Sequence, residues 1–131
     1  MEIVVTLPGN KKTLTVIGGF EIATDQSVMG GGDGSAPAPF TLFLASIASC
    51  GAVYIAYFCQ KRGIPYDKIR LVQRDERDPE THDLKKVSLE VELPPDFPEK
   101  YEKALLHVID LCAVKKAILN APEFTLQAVR K

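Results

Sequence analysis

The chain carries almost no net charge: 16 lysines and arginines stand against 17 aspartates and glutamates, leaving −1 at neutral pH. That balance supplies no electrostatic pull toward nucleic acid or an anionic membrane surface. No arginine-rich stripe interleaved with aromatics is present to track a nucleic-acid strand. Cysteine is scarce, at three residues, an odd number in no zinc-ligand spacing. No metal and no cofactor is expected. The opening MEIVVTLPGNKK has no basic segment ahead of an apolar run, so no secretory signal is read and the cytoplasm is the expected location. In that reducing setting a structural disulfide framework is not expected, and the cysteines are free thiols. The glycine-rich run DQSVMGGGDGSAPA, residues 25–38, lacks the spacing and the lysine of a phosphate-binding P-loop. It reads as a mobile connector.

What is present is an ordinary globular balance, 46% hydrophobic and 25% charged, over 131 residues. That length predicts a single domain, 1–131, large enough to bury a core. One stretch dominates it. Pro39 to Cys59, PFTLFLASIASCGAVYIAYFC, holds 21 residues without a charge. Such a run is long enough to span a bilayer. Its threonine, serines, alanines and glycine make it only modestly hydrophobic, and the segments around it are amphipathic. The expectation is therefore a helix buried by protein on every face, with no membrane partner. Pro39 suits the first helical position, and Gly63 followed by Pro65 suits the end. One small chain does not have enough layers to cover every face of this helix. A second copy is the simplest source of cover, so a homodimer with the helix near its two-fold axis is expected.

The other segments follow from periodicity. Ile3, Val5 and Leu7 share one side of a first strand. Thr13 to Ile17 forms a second, and Phe20 with Ile22 marks a third, separated by Pro-Gly-Asn-Lys and Gly-Gly turns. Tyr66 to Arg77 reads as a fourth strand, with Ile69 and Leu71 on one side and Arg70, Val72 and Arg74 on the other. After the polar turn DPETHD, Val87, Leu89, Val91 and Leu93 alternate strictly with polar residues, as one wet and one dry face require. Pro98 to about Leu119 is expected as one long helix containing Cys112, and Phe124 to Arg130 as a last strand. The order is βββ, helix, ββ, helix, β.

Within the central helix, Cys50 shares a face with Phe43, Ile47, Val53, Tyr54 and Tyr57. Cys59 lies nine residues on, about 900° of helical rotation, so it points roughly opposite. The two cannot reach each other. A partner for Cys50, if it has one, comes from elsewhere, and Cys112 is the remaining thiol. Inert packing is the commoner fate of a buried cysteine, and apolar burial raises a thiol's pKa unless a cation is near. His82 and His107 read as structural histidines.

The run GGGDGSAPAPFTLFLASIASC, together with the later LCAVKKAI, resembles the osmotically inducible protein C / organic hydroperoxide resistance (OsmC/Ohr) family. That family has a glycine-containing loop, a proline, and a central helix of small residues leading into a cysteine, with a second cysteine some sixty residues on. Here the second cysteine follows 62 residues after the first. The resemblance implies an α+β fold, an intertwined homodimer whose antiparallel sheets wrap two buried central helices. It implies thiol-dependent reduction of organic hydroperoxides. Cys50 would attack the O–O bond and become a sulfenic acid, Cys112 would condense with it, and an external dithiol would reduce the disulfide. Phe43, Ile47 and Tyr54 would line an apolar substrate pocket.

The chain also departs from the family. Thr41 and Phe40 stand where peroxidase members carry a glutamate, and no arginine precedes Arg62 to pair with one. Lys11, Lys12, Arg74 and Arg77 are the cations left for the role. Ala113 replaces the proline usual after the second cysteine. A second reading therefore stands beside the first: a non-catalytic dimer of the same fold that holds a small apolar ligand.

Overall fold

A computed structural model describes all 131 residues. The element order is β1 (Ile3–Gly9), β2 (Lys12–Ile17), β3 (Phe20–Thr24), α1 (Pro39–Arg62), β4 (Arg70–Arg77), β5 (Leu84–Glu92), a short 3-10 turn (Glu99–Tyr101), α2 (Glu102–Asp110) and α3 (Ala113–Leu119). The fold is α+β, with two antiparallel sheets and three helices. The chain forms two compact units, residues 1–45 and 46–131, with the boundary inside α1.

The first unit is a meander in the order β1-β2-β3. Its turns carry the chemistry their sequence promises. Gly18 and Gly19 both have positive φ, 54° and 82°, and close a two-residue hairpin between paired Ile17 and Phe20. That twist matches the strands it joins. Ile3, Val5, Thr13, Thr15, Ile17, Ile22 and Thr24 face one side of the sheet and, with Pro39 and Leu42, line an apolar groove of about 420 Å³.

Residues 25–38 are not the loose connector expected from their glycines. Asp25 is wholly buried. Its carboxylate accepts hydrogen bonds from the Gln26, Asp33 and Ser35 amides at 2.7, 3.3 and 3.0 Å and from the Ser35 hydroxyl at 2.6 Å. Backbone bonds from Gly32 to Ser27 and from Gly34 to Gln26 tighten the loop further. A side chain at Gly32 would run into the Gln26 carbonyl and come within 2.6 Å of Asp25 Oδ1. The glycines permit compactness here, not motion.

The second unit is built on α1. Its C-terminus closes as foreseen: Gly63 takes φ 65°, the Gly63 amide donates to Gln60 O at 3.3 Å and the Ile64 amide to Cys59 O at 2.9 Å. That pair of bonds is a Schellman closure. Ile55, Phe58 and Cys59 of α1 form a core with Phe97, Leu105 and Ile109, flanked by Leu71 of β4 and Leu89 and Val91 of β5. The opposite face of the β4–β5 hairpin carries ion pairs, Arg70–Glu92 and Arg74–Glu90 at 3.3 Å each and Lys86–Glu76 at 3.5 Å. These are exposed and contribute little individually.

Within the chain one face of α1 is buried, at Ile47, Gly51, Ile55, Phe58 and Cys59, as expected of a chain with too few layers to cover the rest. A two-stranded hairpin and one helix supply cover on one side only. Two further expectations need correction. The helix expected over 98–119 is three pieces. Leu111 leaves helical geometry (φ −89°, ψ 6°) and Cys112 is extended (φ −60°, ψ 143°), so α2 ends and α3 begins anew. Finally, residues 121–131 form no strand. Their alternating Phe124 and Leu126 are exposed, with no sheet partner in the chain.

Candidate functional site

All three cysteines are free. Cys50 is partly buried, on the flank of α1 between its packed and uncovered faces. Cys59 is buried in the core, on the far side as helical geometry requires. Burial pushes the Cys59 thiol up from its ordinary value, and the Arg62 charge opposes this more weakly. It is a packing thiol.

Cys112 is also buried, and its position is unlike the one expected. It is the N-cap of α3: its Sγ accepts a hydrogen bond from the Lys115 amide at 3.4 Å. Its own amide donates to Ile109 O at 3.2 Å. The end of α2 therefore fixes the backbone of Cys112. Nearby, Lys115 pairs with Asp110, which lies below the usual carboxylate range because Lys115 hydrogen-bonds to it.

The approach of α1 to α2 is set at Gly51, beside Cys50. A Cβ placed there would stand 3.4 Å from Ile109 Cγ2 and 3.1 Å from Leu71 Cδ2. So α1 packs on α2 and β4 at Gly51, against Ile109 and Leu71. Sequence reasoning took Gly51 only as one of several small residues of α1 and passed over Ile109. The available signal was a single glycine inside an otherwise glycine-free helix, which marks close approach by another element.

The expected pocket residues divide. Tyr54 lines an apolar groove of about 300 Å³ with Tyr57, Phe58, Lys61, Arg62 and Val108. Ile47 is buried on the packed face. Phe43 is exposed and stacks on Phe40 with ring centroids 5.4 Å apart. Arg62 lies over the Phe58 ring at 3.6 Å and donates to Phe58 O at 3.2 Å.

The four cations left for thiolate activation each have a partner. Lys12 pairs with Asp33 and stands 3.5 Å from buried Asp25. Its pKa is raised, first by the Asp33 hydrogen bond. Lys11 reaches Gly30 O at 3.4 Å, Arg74 pairs with Glu90 at 3.3 Å, and Arg77 with Asp75 at 3.1 Å. Asp25 is held well below the usual carboxylate range, chiefly by the Ser35 hydroxyl and amide, with smaller help from Gln26 and Lys12 against the cost of burial. The Asp25–Lys12–Asp33 cluster thus serves the loop. No group of histidine, cysteine or carboxylate side chains has the arrangement to hold a metal ion.

The likenesses agree with this architecture. A protein from Psychrobacter arcticus, assigned to osmotic stress induction and detoxification response, superposes with a TM-score of 0.76 at 22% identity over 88% of this chain and 85% of its own. An OsmC-like protein from Mycoplasma pneumoniae gives 0.72 at 14% identity, covering 92% and 87%. The organic hydroperoxide resistance protein OhrB of Bacillus subtilis gives 0.57 at 17% identity, covering 92% and 90%. No curated protein sequence matches the chain. The family model for OsmC-like protein matches residues 32–127, which include α1, both sheet-two strands, Cys50 and Cys112. The chain belongs to the OsmC-like protein family.

Proposed function

We propose that this protein is a thiol-dependent reductase of organic hydroperoxides that works as a homodimer. The observation behind the reading is the packing of α1 against α2 at Gly51 and Ile109, residues one and three positions along the chain from Cys50 and Cys112. In the first step the Cys50 thiolate attacks the terminal oxygen of ROOH. The O–O bond breaks, sulfur is oxidised to the sulfenic acid, and the alkoxide takes a proton to leave as ROH. In the second step the Cys112 thiol displaces water from Cys50–SOH and forms the disulfide. An external dithiol, available in a cytoplasmic setting, returns both thiols by exchange.

Apolar surface supports the dimer. In the single chain Phe40, Phe43, Val53 and Tyr57 lie uncovered along α1, and every residue of β1 is exposed. An apolar area of that extent on a soluble chain marks an interface. A second copy also accounts for the helix being long and apolar enough to cross a membrane while little of it is buried within the chain.

The test is turnover. With dithiothreitol as reductant, the protein should consume cumene hydroperoxide catalytically, and Cys50→Ser should abolish this. Equal rates for the two proteins would overturn the proposal. A second reading, a non-catalytic dimer holding an apolar ligand, is favoured by one observation: Lys11, Lys12, Arg74 and Arg77 are already engaged.

A further inference from the structure

We infer that Gly51 is a positioning residue for the resolving step, setting how closely the Cys112 turn approaches Cys50; the inference rests on the proposed thiol chemistry. Glycine inside a helix is unfavourable relative to alanine, so a lone glycine in the middle of α1 needs a reason. Conformational freedom is not that reason, since Gly51 is absent from the positive-φ residues. Space is the reason. Gly51 is buried at the centre of the packed face of α1, and a Cβ would press on Leu71 Cδ2 at 3.1 Å and Ile109 Cγ2 at 3.4 Å. The Leu71 distance is tighter than ordinary side-chain packing and the Ile109 distance stands at its lower edge, so a methyl group wedged between them must be met by a movement of a few tenths of an ångström.

That movement has a direct route to the second thiol. Ile109 O accepts the Cys112 amide hydrogen bond at 3.2 Å, so displacing Ile109 carries Cys112 with it. Attack of Cys112 sulfur on Cys50–SOH is intramolecular, with water leaving as the S–S bond forms. Its rate depends on the two sulfurs being held in line, and small misplacements cost such steps heavily. The first step, attack of Cys50 on peroxide, involves neither Ile109 nor Cys112. Gly51 therefore bears on the ratio of the two steps.

The experiment treats the full-length protein with one equivalent of cumene hydroperoxide, quenches with dimedone at timed intervals, and reads intact mass. Wild type should pass to the disulfide with little sulfenic-acid adduct. Gly51→Ala should oxidise at Cys50 within about twofold of the wild-type rate but close the disulfide about tenfold more slowly, so that the adduct accumulates. Adding Leu71→Val removes the carbon nearest the new methyl group and should restore closure. Ile109→Ala, tested separately, removes the other contact and loosens the Cys112 turn, so it too should slow closure. A purely structural role would lower stability or slow both steps together without changing their ratio. Closure at the wild-type rate in Gly51→Ala or Ile109→Ala, or no recovery in the double variant, overturns the inference. If wild type itself forms neither adduct nor disulfide, the thiol chemistry fails instead.

Discussion

Val53→Asp tests the claim that a second copy covers α1. In the lone chain Val53 is 45% exposed, and Tyr57, one turn on, is 63% exposed. Aspartate and valine have similar helix propensities, so the substitution should barely disturb the chain's own fold. Its effect falls on association. The exposed part of a valine side chain is about 60 Å², and covering it contributes about 1.5 kcal/mol at roughly 25 cal/mol/Å². Losing that and burying a carboxylate in its place costs a further ~2 kcal/mol or more. A two-fold interface meets both costs twice, giving about 7 kcal/mol and a dissociation constant raised about 10⁵-fold. Sedimentation equilibrium at micromolar concentration should show wild type as a dimer and the variant as a monomer with unchanged far-ultraviolet circular dichroism. A variant that remains dimeric, or a wild type that is monomeric at that concentration, refutes the reasoning.

Other consequences follow from the same geometry. Leu105 is wholly buried in the core that joins α1 to α2, so Leu105→Ala should cost about 3 kcal/mol, read as a lower urea midpoint at unchanged slope. Asp25 has a depressed folded-state pKa, so its stabilisation is present above the unfolded value near pH 4 and is lost as pH falls below it toward the folded value. Asp25→Asn should therefore lower stability at pH 7 and flatten the decline between pH 4 and pH 2; a parallel decline would show that another carboxylate governs it. Cys112→Ser keeps an acceptor at the α3 N-cap, whereas Cys112→Ala removes it at a cost of about 1 kcal/mol, which amide exchange at Lys115 should register.

Much of this architecture was legible in local signals. Turn chemistry located the β1–β2 and β2–β3 connections, strict alternation located β5, and Pro39 and Gly63 bracketed α1 because each has a physical reason to stand at a helix end. What was not legible depended on long-range contacts. The glycines of residues 25–38 suggested motion, since nothing local announces that Asp25 folds back onto Ser35 ten residues later. The 98–119 helix breaks at Cys112 although no glycine or proline interrupts it there. The tail from Phe124 alternates like a strand, but a strand needs a neighbour, and the chain offers it none. For the site, the two thiols and their separation were visible. The packing of α1 on α2 at Gly51 and Ile109 was not, because it is a contact distance that periodicity cannot express.

The decisive measurement is intact mass with peptide mapping after one equivalent of an organic hydroperoxide. Loss of two hydrogens per chain, with one cross-link joining the peptides of residues 50 and 112 and none in Cys50→Ser, is the expected result. A chain that keeps three titratable thiols over many minutes, or a cross-link through Cys59 in place of Cys112, contradicts it.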